Sequence, residues 1–200
     1  MATEKTRRVK DLDTLKALGH PLRMKLYRVL YVAGSATASH LAEQVDEAVS
    51  LVSYHLRKLA AHGLIEEAPQ DGGDARERWW RPVAESISTR DEDFRDSPEE
   101  VAAHAAMSRA HARQQHEMYE GYLDAQMAWE PAWRDAAFSS EHLMWLTPDE
   151  LGRLADELRD LADRWRARGR AAREAGDMEG RESVAVQMYG FPFRSWNPGR

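Results

Sequence analysis

The stretch Ser53-Tyr54-His55-Leu56-Arg57-Lys58-Leu59, running on through Ala60-Ala61-His62-Gly63-Leu64-Ile65-Glu66-Glu67, decides how this 200-residue chain folds. Val52, Leu56 and Leu59 recur at helical spacing and make one apolar face. Ser50, Ser53, Tyr54, Arg57 and Lys58 fall on the remaining arc, with His55 between the two. Ser50 is the expected cap, since its hydroxyl can accept from an orphan first-turn N–H. The helix should reach His62 and stop at Gly63, a residue suited to a left-handed cap.

Upstream, Leu12, Leu15 and Leu18 share one helical face. Gly19-His20-Pro21 breaks that helix, and Pro21 suits the first turn of the next. There Leu22, Leu26, Val29 and Leu30 keep the period until about Gly34. A short third helix is predicted over Ala38–Val45, followed by the turn Asp46-Glu47-Ala48. Asp tolerates a left-handed backbone better than most residues.

Downstream, Leu64–Ala68 and Glu77–Val83 are strand-like runs flanking Gln70-Asp71-Gly72-Gly73-Asp74, a hairpin signal. Trp79 and Trp80 would point to opposite faces, so at least one packs on the domain. Three helices, a fourth exposing a polar arc, and a hairpin form the pattern of a winged helix-turn-helix. Residues 84–96 are charged and aperiodic and read as a linker or irregular crossover.

Ser97-Pro98-Glu99-Glu100 is a capping box with Pro at the first helical position. The helix it opens should run to about Ala128. Its small face (Ala102, Ala103, Ala105, Ala106, Ala110, Ala112) suits close approach of a twin helix, a packing role within one chain being the alternative. Thr147-Pro148-Asp149-Glu150 repeats the capping logic. Leu151, Leu154, Leu158, Leu161 and Trp165 then form an apolar stripe opposed by Arg153, Glu157 and Asp160. His142–Leu146 and Ser183–Tyr189 read as strands around this helix, and residues 168–182 as a mobile connection. The expected class is α+β, mainly α: a winged helix-turn-helix over 1–90, then 91–200 with a long dimerisation helix and a small strand-helix-strand unit.

Composition narrows the functions. Cysteine is absent, which excludes disulfides, thiolate metal sites and cysteine nucleophiles. Met1–Arg8 has no apolar run after its charges, and no apolar stretch is long enough to span a bilayer, so a cytoplasmic protein without membrane contact is expected. The net charge of −6 is unevenly placed. Residues 1–90 carry 14 Lys and Arg against 12 Asp and Glu, the remainder 14 against 22. Phosphates respond to the local balance, so overall acidity does not argue against DNA. No Gly-rich phosphate loop, nucleophile elbow or HExxH pattern points to an enzyme.

Ala17-Leu18-Gly19-His20-Pro21-Leu22-Arg23, the Ser53–Leu59 run, His62–Glu67 and the wing run Arg76–Arg81 together resemble ArsR-family regulators, particularly an actinobacterial subgroup with a C-terminal extension. The resemblance covers residues 10–85 and extends to the ending Tyr189-Gly190-Phe191-Pro192-Phe193. It implies a dimeric transcription regulator, expected to be a repressor that reads an imperfect palindrome in double-stranded DNA with half-sites about one helical turn apart. Ser53 and Tyr54 are the candidates for base-edge or phosphate hydrogen bonds and Arg57 and Lys58 for phosphate, with Ser50 a further DNA-binding candidate on the same arc. His55 is a candidate contact or a structural hydrogen-bonding group. Arg76 and Arg78 on the wing would reach phosphate or a minor groove, unless they are only solvated hairpin charge.

The resemblance also raises metal sensing. Without thiolates it would need imidazoles, and His104, His111 and His116 are spaced seven and five apart, too far for one ion without a partner chain. No metal or cofactor is expected, a histidine metal sensor being the alternative. Tyr119, Tyr122, Trp129, Trp133, Phe138 and Trp145 are candidates to line a small-molecule effector site. The competing readings are an ordinary core, or a regulator without effector whose second half only dimerises.

Overall fold

The computed structural model describes residues 6–69 and 77–194. Its elements are β1 (Arg7–Val9), α1 (Leu12–Leu18), α2 (Pro21–Ala33), β2 (Ala36–Thr37), α3 (Ala38–Val45), α4 (Val49–Ala61), β3 (Ile65–Glu67), β4 (Trp79–Pro82), β5 (Ile87–Thr89), α5 (Pro98–Ala125), α6 (Pro131–Ala136) and α7 (Pro148–Glu174). Single 3₁₀ turns precede α5 (Asp91–Phe94) and follow it (Gln126–Ala128). Two compact units divide at 128/129.

The first unit is a winged helix-turn-helix with the core the periodicity requires. Leu15, Leu18, Leu26, Leu30, Leu41, Val52, Leu56 and Leu59 are buried together. β4 lies antiparallel between β2 and β3, pairing Ala36 with Trp80 and Ile65 with Pro82. Trp80 is buried while Trp79 is half-buried, its ring edge-on to His40 at 5.7 Å. α5 packs on α1 and α2. Met107 is buried there, Lys16 pairs with Glu99 at 2.7 Å, and Gln114 Nε2 donates to the Pro21 carbonyl at 2.7 Å.

Residues 84–96, read from the sequence as linker or irregular crossover, are built into this unit. β5 pairs in parallel with β1, Arg7 opposite Ile87. Arg8 forms charge-assisted bonds to Asp93 (2.6 Å) and Glu92 (2.6 Å), and Phe94 is 1% exposed. Tyr27 donates to the Ala84 carbonyl at 3.2 Å, and burial pushes its phenol up to about 12. The charge pattern hid a two-stranded ladder because each strand is three residues long, and its partner is 80 residues away in sequence.

Both long helices start where their caps predict. Ser97 and Thr147 each accept from the N–H of the glutamate three residues on, whose carboxylate accepts from the cap N–H in return. The second unit departs from expectation elsewhere. Residues 142–146 and 183–189 form no strand, and no ladder occurs after Thr89 among the described residues. A strand exists only with a hydrogen-bonding neighbour. Each run alternates as a strand does, yet neither joins a ladder, and Leu143, Trp145, Val184 and Val186 lie exposed. α7 extends to Glu174, through the first half of the expected mobile connection, because its Ala- and Arg-rich end favours helix.

Candidate nucleic-acid interface

α3 ends in the only positive-φ non-glycine residue among those described, Asp46, at φ 56° and ψ 54°. The N–H groups of Asp46 and Glu47 both turn back to the Ala42 carbonyl, and Lys25 Nζ donates to that of Val45 at 3.1 Å. These bonds fix the turn, and with it the angle at which α4 leaves α3. The buried arc of α4 is Val52, His55, Leu56 and Leu59. The other arc exposes Ser50, Leu51, Tyr54, Arg57 and Lys58, with Ser53 half-buried at its edge.

The cap of α4 differs from expectation. Ala48, not Ser50, is the N-cap, and no side chain closes the first turn. Ser50 is the second residue of the helix and is exposed. The first-turn N–H groups therefore have no side-chain cap and stand beside a polar arc, the arrangement that favours an anion.

Among the remaining candidates, Tyr54 is 48% exposed and Lys58 Nζ sits 5.8 Å from its ring centroid. Arg57 Nε donates to the Ser53 carbonyl at 3.2 Å. His55 is 5% exposed and packs against His20, centroids 4.5 Å apart. Its imidazole belongs to the core, and burial lowers its pKa. Arg78, on the wing, pairs with Glu67 at 3.0 Å and lies 5.6 Å from the Trp80 ring. Arg76 and the hairpin turn lie outside the described residues. Sequence reasoning missed Val49 and Leu51, which stand exposed at the start of α4. Leu51 carried a signal, being apolar yet out of phase with Val52, Leu56 and Leu59, whereas Val49 keeps their spacing and gave none. Apolar side chains at this place can meet thymine methyls.

The three histidines of α5 have separate surroundings. His104 stacks on Phe94 at 5.4 Å, and His116 lies 3.2 Å from Glu120. His111 is half-buried, its pKa lowered by burial and by Arg28. Among the described residues no three His, Asp or Glu side chains gather as a metal site would require. Of the aromatic effector candidates, Tyr119 and Tyr122 stack on α5 with centroids 6.3 Å apart. Trp129, Trp133, Phe138 and Trp145 belong to the second unit, where Phe138 and Trp145 are exposed.

A helix-turn-helix domain family model matches residues 18–68, which span α2 to the start of the wing. No curated protein matches the chain at a significant level. Among solved structures, the YusO protein from Bacillus subtilis is 18% identical over 62% of this chain and 81% of its own, at a TM-score of 0.33. A mutant MarR from E. coli complexed with operator DNA is 15% identical, covering 75% and 84%, at 0.31. A MarR family regulator from Neisseria meningitidis is 19% identical, covering 72% and 75%, at 0.29.

Proposed function

We propose that this chain is a sequence-specific, DNA-binding transcriptional regulator that works in the cytoplasm as a homodimeric repressor of ArsR-like type. The observation that carries the reading is α4 itself. One arc is locked into the core by Val52, Leu56 and Leu59, while Ser50, Ser53, Tyr54, Arg57 and Lys58 line the arc that a major groove would take. The helix-turn-helix match over 18–68 covers the same elements.

DNA reading falls to residues 1–90, with Arg57, Lys58 and Arg78 on phosphate, and Ser50, Ser53 and Tyr54 on base edges or phosphate. Arg76 would join Arg78 on the wing. His55 acts by seating α4 rather than by touching DNA. Residues 91–200 serve dimerisation. The outward side of α5 supports that role, since Val101, Tyr119 and Leu123 stand exposed on it. Control by a small apolar or aromatic effector is proposed for the aromatic residues Tyr119, Tyr122, Trp129, Trp133, Phe138 and Trp145.

Selection of duplexes from a random pool tests the reading. The expected product is an imperfect inverted repeat with half-sites about 34–36 Å apart. A pool in which no sequence is enriched, at low salt as well as high, would overturn it.

A further inference from the structure

The second unit has too little core to stand alone. Among its described residues only Ala172 is buried. Leu143, Trp145, Leu161, Trp165, Val184, Val186, Phe191 and Phe193 all lie open. Ordering these residues costs conformational entropy, which burial of apolar surface chiefly offsets. The missing burial has to come from another surface.

α7 says which surface that is. Leu151, Leu154, Leu158, Leu161 and Trp165 are spaced three, four, three and four apart, the seam of a two-stranded coil. The later part of the seam is the most open, with Leu161 43% and Trp165 62% exposed. One flank carries Ala155, Ala162 and Gly169, small enough for a second helix to come close. The other carries Glu157 and Arg164.

Charge on α7 is polarised along its length. Residues 148–163 hold six acidic side chains (Asp149, Glu150, Asp156, Glu157, Asp160 and Asp163) against Arg153 and Arg159. Residues 164–174 hold five arginines (164, 166, 168, 170 and 173) against Glu174. The helix dipole accounts only for charges in the first and last turns. The acidic half runs for four turns, so the pattern has another cause. A second α7 lying antiparallel would set each acidic half against a basic half, and a two-fold axis would satisfy both contacts at once. A parallel twin would set like against like.

We propose that α7 pairs antiparallel with α7 of a second copy of this chain, about an axis passing between Arg159 and Asp160. Leu158 then faces Leu161 of the other copy, Leu154 faces Trp165, and Glu157 meets Arg164. The proposal rests on the dimeric reading above and on nothing about DNA.

Cysteine is absent from the chain, so single cysteines introduced into the full-length protein report without background. Leu154→Cys and Trp165→Cys proteins are prepared separately, then mixed, unfolded, refolded together and treated with a short bismaleimide. The mixture should give a covalent dimer. Neither variant alone should, because like cysteines would lie 11 residues apart along the axis, about 16 Å. Adducts formed by each variant alone would mean parallel packing and overturn the proposal. A sedimenting dimer without any adduct overturns it while leaving the dimeric reading intact, and a monomer at every concentration overturns both.

A second measurement spares the seam. Glu157→Arg and Arg164→Glu should each weaken self-association about tenfold through two like-charge contacts. A mixture of the two should associate as tightly as the parent. Failure of the mixture to recover would sink the charge pairing.

Discussion

The imidazoles of His20 and His55 lie 4.5 Å apart, tilted by 44°, and join the N-terminus of α2 to the middle of α4. Both Nδ1 atoms are buried without a hydrogen-bond partner. Burial is the largest cause lowering both pKa values, and Arg23 adds to it. For His55 the His20 ring lowers the value further, and Glu47 opposes. The edge of Tyr54 completes the surroundings of His55 at 5.1 Å. A proton on either ring would set positive charge beside the other ring and beside Arg23.

Stability should therefore depend on pH with a definite sign. The unfolded chain takes up protons near the ordinary imidazole value of 6.5, while the folded chain resists until lower pH. The contribution is complete above that value and is lost as pH falls through the depressed folded values. Melting midpoints should drop on acidification from about pH 7.5 to 5, and His55→Gln should flatten that slope. A His55→Gln protein with the parent's full slope in this window would remove the pair as its cause.

Phe94→Ala should destabilise the first unit by about 3–5 kcal/mol, the usual cost of truncating a buried ring. Phe94 is 1% exposed and stacks on His104 of α5 at 5.4 Å. Since a domain holds only about 5–15 kcal/mol in all, the variant should unfold at markedly lower urea. A loss below about 1 kcal/mol would mean that residues 91–94 do behave as linker.

This residue also marks where the sequence stopped being readable. The four helices of the reader were legible because their apolar residues recur every three or four positions over two to four turns. The wing was legible because its strands are close in sequence. β1, β5 and the turn holding Phe94 depend on contacts across some 80 residues, which no local period encodes. The exposed arc of α4 followed from the phase of Val52, Leu56 and Leu59. The cap did not, because Ser50 looked like a cap while the helix starts two residues earlier, capped by Ala48. In the second half the strand-like alternation at 142–146 and 183–189 was present in the residues, but periodicity cannot supply the neighbouring strand.

Gly63→Ala should cost about 1–2 kcal/mol, the penalty of a left-handed backbone for a residue with a Cβ. Gly63 has φ +62°, and an added Cβ would stand 2.9 Å from Arg7 Nη1. The guanidinium can shift, so the dihedral carries most of the cost. Moving it also endangers the Arg7 Nη2 bond to the His62 carbonyl at 2.7 Å. Urea denaturation of Gly63→Ala and Arg7→Ala separates the two. Arg7→Ala should cost less, and equal losses would place the penalty in the contact rather than the backbone.

The wing and the recognition helix should respond differently to loss of an arginine. Arg57 lies exposed on α4 with only a 3.2 Å bond to its own helix, so its charge is available to phosphate. Arg57→Ala should weaken binding to every duplex alike and reduce the slope of log K against log salt by about one. Arg78 is already held by Glu67 at 3.0 Å and by the Trp80 ring. Part of what it gains from phosphate is offset by the pair it gives up, so Arg78→Ala should cost less. By the same reasoning Glu67→Gln should tighten binding, by no more than about fivefold, because exposed pairs contribute about 0.2–1 kcal/mol. Titrations at three salt concentrations measure all three. If Arg57→Ala leaves both affinity and slope unchanged, α4 is not the element that meets DNA.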